Sequence, residues 1–79
     1  MYNHPLYLKI LKDSPVILIQ SVSGSIIARL IYLSGAEKFG YPCMYEFFPT
    51  QDCGFAPNFL AAQDQLQIMW VLFNMMEDL

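Results

Sequence analysis

Between Asn58 and Leu79 the chain has neither glycine nor proline, and Phe59, Ala62, Leu66, Met69, Trp70, Phe73 and Met76 recur at intervals of three and four residues. That spacing places their side chains on one side of a helix. Asp64, Gln67, Val71, Asn74 and Asp78 follow the same rhythm half a turn away, so the opposite side is mostly polar. The segment predicts a long amphipathic helix of about 30 Å. Pro57 and Asn58 supply its start, because proline breaks the preceding chain and an asparagine side chain accepts hydrogen bonds from orphan helical N–H groups.

The remaining chain must give this helix something to pack on. Tyr2, Leu6, Tyr7, Ile10 and Leu11 show a short three-four pattern after Pro5, with Asp13-Ser14-Pro15 as a stop, and predict a two-turn N-terminal helix over Met1–Lys12. Val16–Val22 and Ile26–Leu33 are rich in valine and isoleucine around Ser23-Gly24-Ser25, which predicts a β-hairpin of strands covered on both faces. Arg29, within the second run, is expected to emerge at an edge or to pair with Glu46 or Asp52. Ser34–Gly40 reads as a loop with one helical turn at Ala36–Phe39. Tyr41–Phe48 alternates and predicts a third strand, with Pro42 favouring a strand entry or an edge. Pro49–Pro57 reads as a connection containing a brief extended piece at Cys53–Ala56. The expected fold is α+β: a short N-terminal helix, a three-stranded antiparallel sheet and the long C-terminal helix, in one domain over residues 1–79. So short a chain leaves one sheet face uncovered, which points to a second subunit.

Composition sharpens that expectation. Of the 79 residues 56% are hydrophobic and only 14% charged, against a charged share of about 25% in soluble domains. A domain this small buries only about 60% of the surface its unfolded chain exposes. Six Phe, five Tyr, five Met and one Trp therefore exceed what the interior hides, and some are expected at a contact with another copy or another protein. A formal net charge of −3 disfavours nucleic acid, whose binding draws on basic groups, and suits a basic protein surface. A membrane span from Val16 to Leu33 would include Gln20, three serines and Arg29 and is disfavoured. The N-terminus lacks the basic-then-apolar order of a signal peptide, so cytoplasmic residence is the expectation.

The inventory for catalysis is sparse. Gly24 stands alone between serines, with neither a phosphate loop nor a nucleophile elbow around it. His4 has no ligand cluster beside it, and Cys43 and Cys53 match no common zinc spacing. Whether these two thiols bridge across a turn is left open. Glu46, Asp52 and Asp64 are scattered acids, more in keeping with solvation than with a metal cage. No enzyme, catalytic residue, metal or cofactor is expected. The interaction surface is placed instead on the terminal helix, at Asp64, Gln67, Met69, Trp70, Phe73 and Met76, where tryptophan and methionine suit an adaptable contact.

Leu8, Leu11, Lys12, Ser14, Ile17, Ser23-Gly24 and Ile26–Tyr32, followed by Ala61, Asp64, Leu66 and Trp70, stand in an order that resembles the phage Thoeris anti-defence family, which sequesters cyclic ADP-ribose signals. Met69 replaces that family's Asp before the Trp, while Val22 and Ile19 occupy positions of its first-turn tryptophan and basic residue. The resemblance implies a short N-terminal helix, a nucleotide-like ligand and a closing strand at Ile68–Phe73. Periodicity implies helix over the same residues. Two functions are thus expected of a self-associating protein: a small acidic inhibitor that binds a host protein in phage or mobile-element counter-defence, or a sponge holding a cyclic nucleotide-type signal between protomers.

Overall fold

The computed structural model describes residues 5–12 and 14–77, with only the backbone of Glu77. Five strands, β1 (Tyr7–Ile10), β2 (Val16–Gln20), β3 (Ile26–Tyr32), β4 (Cys43–Phe47) and β5 (Asp52–Ala56), precede one helix, α1 (Phe59–Glu77). Consecutive strands pair antiparallel, so the sheet is a meander in the order β1-β2-β3-β4-β5. A single 3₁₀ turn at Ala36–Phe39 sits between β3 and β4, where the sequence predicts one.

Two expectations are corrected here. The N-terminal helix predicted over Met1–Lys12 is absent from its described part, because Tyr7–Ile10 forms β1 with Leu8 opposite Ile19 and Ile10 opposite Ile17. An isolated helix of that length lacks the residues to offset nucleation, whereas Leu6, Leu8 and Ile10 also alternate, and β2 lies one tight turn away. Ser14 shapes that turn, its N–H reaching the Leu11 carbonyl at 3.3 Å and its hydroxyl accepting from Val16 N–H at 3.1 Å. The three-stranded sheet is likewise corrected to five strands. The piece expected as a brief extension at Cys53–Ala56 is a full edge strand, in register from Phe47 opposite Asp52 to Cys43 opposite Ala56. Gln51, at φ 61°, takes the left-handed turn position that brings it back alongside β4.

The predicted hairpin is present. Ser21 N–H donates to Ser25 O and Gly24 N–H to Ser21 O, each at 2.9 Å, and Gly24 takes φ 89°, a conformation that a Cβ would strain. The long helix also starts as expected: Asn58 Oδ1 accepts the Ala61 N–H at 2.8 Å, the hydrogen bond of an N-cap.

Strand alternation divides the sheet into two faces. Ile19, Ala28, Leu30, Cys43, Phe47 and Ala56 lie on the side of α1 and form the buried core with Ala62 and Leu66. The helix packs over β3, β4 and β5. Phe47 sits at the centre of this layer, edge-on to Trp70 at 6.4 Å and to Phe73 at 6.2 Å. The central strand β3 is buried on both faces at adjacent residues, Ile27 at 4% and Ala28 at 0% exposed, as a near-continuous apolar run predicts. On the face away from the helix, register lines up Val16, Ile31, Met44 and Phe55 in one row and Lys9, Leu18, Arg29, Glu46 and Cys53 in the next. Arg29 and Glu46 form an ion pair there.

Candidate functional site

Helical geometry decides which side chains α1 buries and which it leaves exposed. Ala62 and Leu66 point into the sheet and are fully buried, while Phe59, Met69, Trp70 and Phe73 pack beside them. Trp70 and Phe73 stack on one another, 5.9 Å between centroids with planes 14° apart. Past Gln65 the polar side expected of an amphipathic helix narrows. Ile68, Leu72, Met75 and Met76 are 45%, 53%, 58% and 71% exposed. From Gln65 to Met76 the sequence carries no charged residue. The second half of α1 therefore carries no charge, keeps polar side chains at Gln67 and Asn74 on one flank, and exposes apolar ones on the other, more apolar surface than an amphipathic helix ordinarily leaves to water.

The six residues assigned to the interaction surface are divided by this geometry. Met69, Phe73 and Met76 come together with Leu72 against Phe47, Thr50 and Asp52, around a shallow hollow of about 280 Å³ where α1 meets the β4–β5 hairpin. Trp70 lies inward of them, against Phe47. Asp64 and Gln67 line a separate cleft of about 220 Å³ with Gln63, Leu66, Leu6, Leu8 and Ile19, between the helix and the β1–β2 side of the sheet. Asn74, on the same flank as Gln67, turns its amide back to the Trp70 carbonyl at 2.8 Å. Asp78, counted in the polar face, and His4 lie outside the described residues.

Ile68 and Leu72 were the residues that sequence reasoning passed over. The side with the strongest three-four rhythm is the one that seats on the protein's own sheet, so the apolar residues left exposed lie next around the helix. The uncharged run from Gln65 to Met76 is the signal that marks them.

The other chemistry-bearing residues are dispersed. Cys43 lies buried on the helix side and Cys53 exposed on the open side, opposite Ala56 and Glu46 respectively, and both are free thiols. The sheet between their side chains rules out the bridge left open by their spacing. Burial raises the Cys43 thiol above its ordinary pKa, which leaves it neutral and a poor nucleophile. Glu46 pairs with Arg29, Asp52 accepts from the Thr50 hydroxyl at 2.5 Å, and Asp64 lines the cleft on the β1–β2 side, so the three acids do not converge. Among the described residues no cluster of three His, Cys, Asp or Glu side chains has the arrangement of a metal site, and no described helix is long and apolar enough to cross a membrane. Tyr32 and Glu37 form one further polar contact, hydroxyl to carboxylate at 2.7 Å, with Gly35 N–H on the other carboxylate oxygen at 2.7 Å.

Fold and surface together define an α+β protein in which a five-stranded antiparallel meander carries one helix on one face. Its chain matches no protein-family model, no curated protein and no solved structure. Residues 68–73, a strand by the resemblance to the cyclic ADP-ribose-sequestering family, are helical.

Proposed function

We propose that this is a non-enzymatic interaction protein, a small acidic inhibitor that covers a surface of a host protein, of the kind used in phage or mobile-element counter-defence. The observation that carries the reading is the exposed row Ile68, Leu72, Met75 and Met76 on α1. An apolar row of that length on a small domain is characteristic of a contact site, and methionine adapts to irregular grooves. Amphipathic helices dock into apolar grooves through residues spaced as these are. With a net charge of −3, the complementary partner surface is an apolar groove with a basic rim.

A photo-crosslinking residue at Leu72 identifies the partner in cells, and the captured protein is then titrated against wild type and against Leu72→Glu with Met75→Glu. Both sites are exposed, so the double variant is expected to keep its circular dichroism spectrum and lose at least tenfold in affinity. Equal binding by the double variant would sink the proposal.

The second reading, a sponge for a cyclic nucleotide-type molecule, is favoured by the cleft at Asp64 and Gln67. Its volume of about 220 Å³ falls below the roughly 300 Å³ at which drug-sized sites begin, and Asp64 opposes a phosphate electrostatically. A nucleotide-sized ligand would therefore need walls from a second protomer. Native mass spectrometry of gently purified protein separates the readings: a co-purifying small molecule supports the sponge, and a bare polypeptide mass supports the inhibitor.

A further inference from the structure

Among the described residues the sheet ends in two strands, β1 and β5, whose outer sides no further strand covers, and the two ends are not alike. β5 carries Gly54 at its centre and is bounded by the left-handed Gln51 and by Pro57, features that blunt an edge. β1 is uninterrupted and exposed along its length, with Tyr7 at 50%, Leu8 at 45% and Ile10 at 73%. Leu8 and Ile10 point to the helix side of the sheet, yet α1 packs over β3 to β5 and meets β1 only across the open cleft that Leu8 lines with Asp64 and Gln67.

We propose that β1 is a homodimer edge: a second copy of this chain pairs antiparallel with it across a two-fold axis at Leu8. The register follows from charge and from strand alternation. In an antiparallel pair, directly opposite residues share a face, so an axis through a residue keeps Leu8 and Ile10 on the side of the helices, whereas an axis between residues does not. An axis at Lys9 would set two like charges opposite each other, which destabilises a sheet. An axis at Leu8 sets Leu8 against Leu8, Leu6 against Ile10, and Tyr7 against Lys9, where the ammonium meets an aromatic face. The stretch Leu6-Tyr7-Leu8-Lys9-Ile10 is in this sense its own complement, as an isologous interface demands. Joined this way, the two sheets are continuous and both α1 helices stand on the same side. The clefts at Asp64 and Gln67 then face each other across a floor of β1 and β2 strands. The inference is independent of the exposed row on α1, which remains free in the dimer.

The test is disulfide trapping in the full chain carrying Cys53→Ser, which removes the exposed thiol. Across an antiparallel pair the Leu8 Cα atoms are about 4.5–5.5 Å apart, within the range a disulfide spans. Two Lys9 residues are offset by two positions and stand about 8 Å apart. Leu8→Cys is expected to cross-link to near completion under mild oxidation, and Lys9→Cys to a tenth of that or less. Sedimentation should show a dimer at tens of micromolar, converted to monomer by Leu8→Glu. The Leu8→Cys cross-link should persist when Leu72→Glu and Met75→Glu are added, since those residues belong to the other surface. A monomer at every concentration, equal trapping at both sites, or loss of trapping in the α1 variant would each overturn the proposal.

Discussion

Gly54 occupies an edge strand for a reason found in its neighbour. The Tyr45 ring, opposite it in the register, lies over the bare glycine backbone, and a Cβ at Gly54 would collide with the ring and its hydroxyl. An aromatic laid across a glycine restores some of the packing that the missing side chain forfeits. Gly54→Ala is therefore expected to cost about 1–3 kcal/mol through overpacking, measured by urea unfolding, and to cost much less when Tyr45 is also alanine. A similar logic of pairs governs the exposed carboxylate of Glu37. The hydrogen bond from the Tyr32 hydroxyl, followed by backbone hydrogen bonds, holds its pKa below the usual carboxylate range. The same hydrogen bond raises the Tyr32 hydroxyl. The folded state thus favours ionised Glu37, and its contribution is complete above the unfolded carboxylate value and lost as pH falls through the folded one. In urea midpoints, the gap between wild type and Glu37→Gln should narrow from pH 7 to pH 3; the same gap at both values would refute this linkage. Tyr32 has the opposite sign, stabilising below the unfolded tyrosine value and ceasing to do so as pH rises through its raised one.

For the elements, packing on α1 makes a contrast between two leucines of the same helix. Leu66 is fully buried and Leu72 is 53% exposed. Leu66→Ala is expected to lose about 2–5 kcal/mol through lost burial and the cavity left behind, and Leu72→Ala to stay within about 0.5 kcal/mol. Comparable losses at both would mean that the outward row is sealed inside the molecule. This helix was legible in the sequence because its punctuation and period agree: Asn58 caps it, and Phe59, Ala62, Leu66 and Phe73 seat it. The β2–β3 hairpin was legible for the same reason, with Gly24 at the turn and branched residues on both sides. β1 was not, because Leu6, Tyr7, Ile10 and Leu11 satisfy a helical period while Leu6, Leu8 and Ile10 satisfy a strand one, and only pairing with Val16–Gln20 decides between them. β5 was hidden by Gly54 and the flanking prolines, which read as loop until Tyr45 is seen covering the glycine. The candidate site was legible only in part. The side of α1 with the strongest rhythm is absorbed by the core, and the exposed Leu72 and Met75 stand beside it.

At the level of the whole molecule, net charge opposes association through exposed apolar area, and little charge is present. The sequence pI is about 4.6, so the −3 carried at neutral pH vanishes on mild acidification, and repulsion between copies vanishes with it. Light scattering against pH is expected to show a solubility minimum near the pI. Two double variants separate charge from surface, since each adds two carboxylates and moves the pI equally. Leu72→Glu with Met75→Glu places them within the exposed row, whereas Ser34→Glu with Gln51→Glu places them on exposed loops. If the row on α1 mediates the association, the first variant should abolish scattering across the range while the second only shifts the minimum to lower pH. Matching curves for the two would assign the association to net charge alone and leave α1 without a role in it.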